Sequence, residues 1–228
     1  MAERTEQLHQ GELPRGLRER KRARVERELA DAALQLFSSK GYDATTVEEV
    51  SEVAGVSPRT FFRYYASKEE LLFTFPNRDR PLYFISVDGF KAALSDALAT
   101  KDSVDDLTAV GAALRTLAPE IEGHRERIAM FTAACASSAT LRGRKVDATL
   151  QLTGWIREAV AQRRGVADAT AETISRVAMT LFSLAVDRWL ESNGGQDLES
   201  CLGDAFGELT LVAAPPSARP TRKRRAIS

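Results

Sequence analysis

The run Ala54-Gly55-Val56-Ser57-Pro58 constrains this chain more than any other stretch of similar length. Glycine accepts the left-handed conformation that ends a helix. Ser57 followed by Pro58 then starts another, with serine as the capping acceptor and proline at a position where its missing amide costs nothing. Two helices joined by so short a turn must cross sharply, which is a helix-turn-helix. Upstream, Thr45 or Thr46 caps the first helix, each with a glutamate three residues on (Glu48, Glu49) to close a capping box. Val47, Val50 and Ala54 line one face of that helix. Downstream, Val56, Phe61 and Tyr65 recur near whole turns and face the first helix, so Pro58, Arg59, Phe62 and Arg63 point the other way. Ser67, with Glu70 three residues later, is set to cap a third helix beside Lys68.

An arginine near the exposed N-terminus of such a second helix is placed to reach base edges in a major groove. A bidentate pair from Arg59 to guanine is worth roughly 1–3 kcal/mol of discrimination. Thr60 suits a thymine methyl or a phosphate, and Tyr64 and Lys68 suit backbone contacts that set register. The whole run T-T-V-x-x-V-x-x-x-A-G-V-S-x-x-T-F-F-R-Y-Y-x-S-K-E-E-L-L resembles the DNA-binding segment of the tetracycline-repressor (TetR) family of bacterial transcription regulators. The likeness is close from about Val25 to Leu72 and extends further only in length and helix content. Residue by residue, it implies DNA contacts from Thr46, Pro58, Arg59, Thr60, Arg63, Tyr64 and Lys68. Phe62 stands where the family often has tyrosine, so an apolar contact is expected there in place of a hydroxyl contact to phosphate.

The chain has 228 residues and a formal net charge of zero, so bulk charge says nothing about nucleic acid. Distribution says more. Arg15, Arg18, Arg20, Lys21, Arg22, Arg24 and Arg27 are opposed locally only by Glu19 and Glu26, and the C-terminal tail carries Arg219, Arg222, Lys223, Arg224 and Arg225 without an acid. Basic ends and an acidic middle fit local phosphate contacts better than a uniformly cationic surface. No apolar run reaches the length of a membrane span and the N-terminus lacks a signal-peptide core, so a cytoplasmic protein is expected. Cys135 and Cys201 sit in apolar helical stretches, and with only His9 and His124 beside them no metal set is expected. There is no G-x-x-x-x-G-K, no G-x-S-x-G and no His/Cys cluster, so neither an enzyme nor a cofactor is expected.

The reading is all-α, with four parts. Residues 1–17 form a disordered arm, 18–66 a three-helix DNA-binding domain, 67–214 a larger helical ligand-binding and dimerisation domain, and 215–228 a basic disordered tail. The first helix runs from Arg18 to Lys40 and stops at Gly41. Pro76 and Pro81 cannot share one regular helix and mark a break, which the family resemblance makes a hinge or a pocket rim and which a plain turn explains equally well. Further helices are expected at Leu82–Ala99, Ser103–Leu117, Pro119–Ala136, Ala139–Arg164, Thr170–Ser192 and Leu198–Val212.

The last two helices carry wide apolar stripes, including Leu181 and Trp189 on one and Leu202, Phe206 and Leu209 on the other. A monomer core explains such stripes as well as an interface does. The family resemblance implies the interface, a four-helix bundle between two subunits, and a twofold dimer reads a roughly palindromic operator. It also implies a mostly apolar cavity for a small-molecule effector, for which Phe84, Phe131, Trp155, Met179 and Phe182 are candidates. The resulting expectation is a homodimeric repressor released from double-stranded operator DNA by an effector. The rival is a helical dimeric interaction or ligand-binding protein without a DNA function.

Overall fold

A computed structural model of the chain describes residues 13–73, 87–99 and 105–213. Phe84, the Pro76–Pro81 break and the tail from 215 lie outside the described residues. Among those described, all regular structure is α-helical, eleven helices with no strand, in agreement with the all-α expectation. Helix α1 spans Leu13–Lys40, α2 Val47–Val53, α3 Pro58–Tyr64 and α4 Glu70–Phe73. Then follow α5 (Val87–Ala99), α6 (Asp106–Thr116), α7 (Ala118–Glu122), α8 (Arg125–Ser137), α9 (Ala139–Arg164), α10 (Ala169–Glu191) and α11 (Leu198–Ala213).

Two features differ from the expected boundaries. Helix α1 is already formed at Leu13, five residues before Arg18. The single helix expected over Pro119–Ala136 is two, since His124 (φ −118°, ψ 19°) leaves helical geometry after Gly123.

Contacts divide the chain into two compact units: residues within 1–89 and 124–151, and residues within 90–123 and 152–228. In the first, α1 is the spine. It packs on α2, α4 and α8, and α2 packs on α3. Leu29, Leu34, Phe37, Val50, Phe61, Tyr65, Leu71 and Leu72 fill the space between them, each fully or almost fully buried. Burial of one such side chain contributes about 1.5–3 kcal/mol, so this short-helix assembly is held by its core rather than by helix propensity.

In the second unit α10 packs on α11, and both pack on α6. Phe90, Leu94, Leu114, Ile156, Val160, Ala178, Trp189 and Leu202 are buried there. Helix α6 approaches α11 closely because Gly111 leaves room for the ring of Phe206: a Cβ on Gly111 would lie 2.7 Å from its Cδ1. Carboxylate caps open the helices of this unit, Asp105 for α6 and Asp168 for α10.

Candidate nucleic-acid interface

Of the two threonines able to cap α2, Thr46 does so. Its hydroxyl accepts from the Glu49 amide (3.2 Å) while the Glu49 carboxylate accepts from the Thr46 amide (2.9 Å), closing the box. Thr45 is buried instead and its hydroxyl donates to the Gly41 carbonyl (2.8 Å). Gly55 adopts φ +66°, and the next amide, Val56, turns back to donate to the Ser51 carbonyl at 2.9 Å. A Cβ at that φ would be strained, so the sharp turn requires glycine. Ser57 then accepts from the Thr60 amide at 3.1 Å, and Pro58 opens α3.

Helix α3 is fixed from below by Phe61 and Tyr65, both buried against the core. Burial pushes the pKa of the Tyr65 phenol up, with the negative charge of Glu26 acting in the same direction. Pro58, Arg59, Phe62 and Arg63 are exposed on the opposite face, as their spacing predicted. Phe62 is 57% exposed yet is not loose, since its ring stands edge-on to Phe61 with centroids 5.2 Å apart. Thr60 is half-buried, and its hydroxyl lies 3.0 Å from that of Ser57.

Tyr64 is also half-buried, and two arginines meet its ring. The Arg63 guanidinium lies 4.9 Å from the ring centroid and donates to the phenol oxygen at 3.3 Å; Arg22, from α1, lies 5.8 Å from the same centroid. Sequence reading placed Arg22 in a basic run but gave no reason to single it out, because its partner lies more than forty residues away.

One expectation is corrected here. Ser67 does not cap α4, which starts only at Glu70; the Glu70 carboxylate reaches back to the Ala66 amide (2.7 Å) instead. Lys68, expected to contact DNA, has partners within the protein. Its ammonium donates to the carbonyls of Tyr42 (2.7 Å) and Thr45 (2.9 Å) and sits 4.1 Å from the centroid of the Tyr42 ring. It fastens α4 to the turn between α1 and α2.

Of the residues expected to line an effector cavity, Phe131 belongs to the first unit and Trp155, Met179 and Phe182 to the second. Phe131 is buried in the first unit, edge-on to Phe73 at 5.4 Å. Trp155 lines a cleft of about 800 Å³ in the second unit, between α5 and the C-terminal part of α9, with Leu94, Leu98, Lys91 and Arg163 among its other walls. The Lys91 ammonium lies 4.9 Å from the centroid of the Trp155 ring. Met179 is buried and Phe182 half-buried on α10, and neither lines this cleft.

The expected interface residues also divide. Leu181, Trp189 and Leu202 are buried within the subunit by the packing of α6, α10 and α11, so they have almost no area left to give a partner. Phe206 and Leu209 are half-buried and keep some surface, and Leu184, on α10, is 38% exposed. No helix of the described residues is long and apolar enough to cross a membrane.

Two family models match successive parts of the chain. The family model described as bacterial regulatory proteins, tetR family, matches residues 29–74, and that of the MftR C-terminal domain matches residues 105–213. The chain is 52% identical over 59 residues to the HTH-type transcriptional regulator TcmR of Streptomyces glaucescens, a match covering 26% of each protein. It is 25% identical over 193 residues to MftR of Mycobacterium tuberculosis, a transcriptional regulator named for mycofactocin biosynthesis, covering 82% of this chain and 90% of that one. Among solved structures, Thermus thermophilus FadR, a TetR-family repressor in complex with lauroyl-CoA, shares the fold. That match has a TM-score of 0.51 at 21% identity and covers 89% of this chain and 99% of that one. With a capped helix-turn-helix under one family model and a helical C-terminal domain under the other, the chain belongs to the TetR family of DNA-binding transcriptional regulators.

Proposed function

We propose that the chain works as a homodimeric repressor that holds a roughly palindromic operator when empty and leaves it when a small molecule binds the second unit. The observation that carries the DNA-binding part is the outer face of α3, where Arg59, Phe62 and Arg63 stand exposed on a helix propped by Phe61 and Tyr65. Arg59 reads bases, Phe62 meets a thymine methyl, and Thr46, Pro58, Thr60, Arg63 and Tyr64 fix the register along the backbone.

Dimerisation rests on what α10 and α11 leave uncovered. Leu184, Phe206 and Leu209 belong to the apolar part of that surface, and a stable twofold contact built around it needs roughly 2,000 Å² or more. The effector seat is the cleft beside Trp155. Leu94 and Leu98 supply apolar wall and Lys91 a cation, while Arg163 and Arg164 are paired with Asp106, and Arg164 with Asp168 as well. Such a lining suits an amphipathic molecule with an anionic end.

The test begins with selection of a duplex from a random-sequence library by the wild-type protein. A retained duplex with two related half-sites is expected, bound by a dimer in sedimentation. Arg59→Ala and Tyr64→Ala should each abolish its mobility shift while remaining folded dimers; undiminished binding by both refutes the reading. Small molecules that release the operator must bind more weakly to the DNA-bound form, by linkage with a coupling of about 1–3 kcal/mol. Equal affinity on and off DNA overturns the release scheme.

A further inference from the structure

A carboxylate close to a DNA-binding face is ordinarily a hindrance, since it repels phosphate. Glu26 is such a carboxylate, yet it is only 5% exposed, close enough to Tyr65 at the end of α3 for its charge to act on that phenol. Its Oε1 accepts from the Arg22 Nε at 2.7 Å, one helical turn earlier on α1. The bond uses one edge of the guanidinium. The two η nitrogens of Arg22 make no hydrogen bond among the described residues, and half of the side chain (51%) is exposed. Held this way, the guanidinium meets the Tyr64 ring 5.8 Å from its centroid, with Arg63 at 4.9 Å from the same centroid.

Arg22, Tyr64 and Arg63 thus form one ledge of two cations and a phenol, joining the N-terminal half of α1 to the end of α3. An unrestrained arginine on an exposed helix loses considerable rotamer entropy when it binds phosphate. Glu26 has already fixed Arg22, and being buried it is shielded by protein from a duplex lying on the ledge.

We infer that Glu26 is a positioning residue for DNA binding: it presents Arg22 as a backbone-phosphate contact alongside Tyr64 and Arg63, so that this acid strengthens operator affinity. The inference rests on the operator reading above and adds to it one phosphate contact and the residue that orients it.

The experiment uses full-length protein and the operator duplex retained by the wild type, with affinity measured by fluorescence anisotropy across a salt series. Each phosphate neutralised contributes about −0.9 to the slope of log K against log salt. Arg22→Gln should flatten the slope by about that amount and weaken binding several-fold near physiological salt. Glu26→Gln should act in the same direction, and the double variant should be little worse than either single one. Simple electrostatics predicts the opposite for Glu26→Gln, namely tighter binding with an unchanged slope, and that result overturns the inference. Melting curves identify a Glu26→Gln protein that has lost its fold; Arg22→Gln, on the exposed side, then decides alone, and an unchanged slope with it also overturns the inference. If the wild type retains no duplex at all, the operator reading falls and takes this one with it; if it does, the slopes speak only to Glu26 and Arg22.

Discussion

Replacing Lys68 separates two roles that the sequence alone confuses. As a phosphate contact, Lys68→Met would cost DNA affinity and little stability. The structure predicts the reverse. Its ammonium gives two charge-assisted hydrogen bonds, to the carbonyls of Tyr42 and Thr45, and lies on the Tyr42 ring. Hydrogen bonds to charged groups contribute about 1.5–3 kcal/mol each, and an exposed cation–π contact about 0.5–1 kcal/mol. Lys68 is half-buried, so water recovers part of what both carbonyls lose, and methionine keeps the packing of the alkyl chain. The net loss comes to about 2–3 kcal/mol, equivalent to a melting temperature lower by about 5–10 °C in a chain of this size. Helical ellipticity followed through a thermal ramp measures it, and operator affinity of the folded variant at low temperature should stay within about threefold of wild type, under 1 kcal/mol. An unchanged melting temperature with operator affinity lost tenfold or more would show that the ammonium leaves the turn for phosphate and would refute the reasoning.

Gly111→Ala should destabilise the second unit by about 1–3 kcal/mol, because the new methyl meets Phe206 along its ring edge; adding Phe206→Leu should recover part of the loss in the same denaturant titration. Ser57→Ala should cost roughly 0.5–2 kcal/mol through the lost α3 cap, and Ser57→Asp should not, as read by urea unfolding. Acid should attack the second unit through its caps. Asp105, Asp168 and Asp197 are held below the usual aspartate range, chiefly by the Thr108 hydroxyl, the Ala171 amide and the Ser200 side chain respectively. A depressed native pKa gives stability that is present above the unfolded value, near pH 4, and is lost as pH falls through the native values, so the triple Asp→Asn variant should show a flatter stability profile below pH 4. Phe62→Ala should leave the melting curve unchanged, since the ring is largely exposed, and relax base preference at one operator position in a repeated library selection.

What could be read in the sequence was what is local. Gly55, Ser57 and Pro58 act on their own neighbours, so the turn, the cap and the outward face of α3 followed from spacing alone. The bounds of α9 coincide with the expected ones for the same reason: Ser138 and Gly165 interrupt the chain on either side. Gly123 misled because an isolated glycine inside an apolar pattern is tolerated in helices, and no Ser, Asp or Asn precedes Arg125 to announce α8. Lys68 was illegible because its acceptors are backbone carbonyls, which every residue possesses, more than twenty residues away. Trp189 and Leu202 looked like interface because their stripes exceed what one neighbour covers. Within the subunit α10 packs on α11 and α6, and α11 packs on α10, α6 and α7, and both side chains are buried there.

A chain with no net charge can still present cations to DNA by committing part of its local acid to the scaffold, even though Asp43, Glu48 and Glu52 stay exposed. Around the reading helix, Glu26 accepts from Arg22, Glu49 from the Thr46 amide and Lys40, Glu69 from the Tyr42 phenol at 2.8 Å, and Glu70 from the Ala66 amide. Each of these carboxylates closes a cap, anchors an aromatic ring or orients a cation, while Arg59 and Arg63 stand exposed with no acid paired to them among the described residues. The potential that a duplex meets is therefore set by which charges the scaffold has consumed, and the sum over the sequence does not report it. Exchanging those glutamates for glutamines to raise the positive charge would remove the props that aim the arginines, and affinity should fall as the formal charge rises.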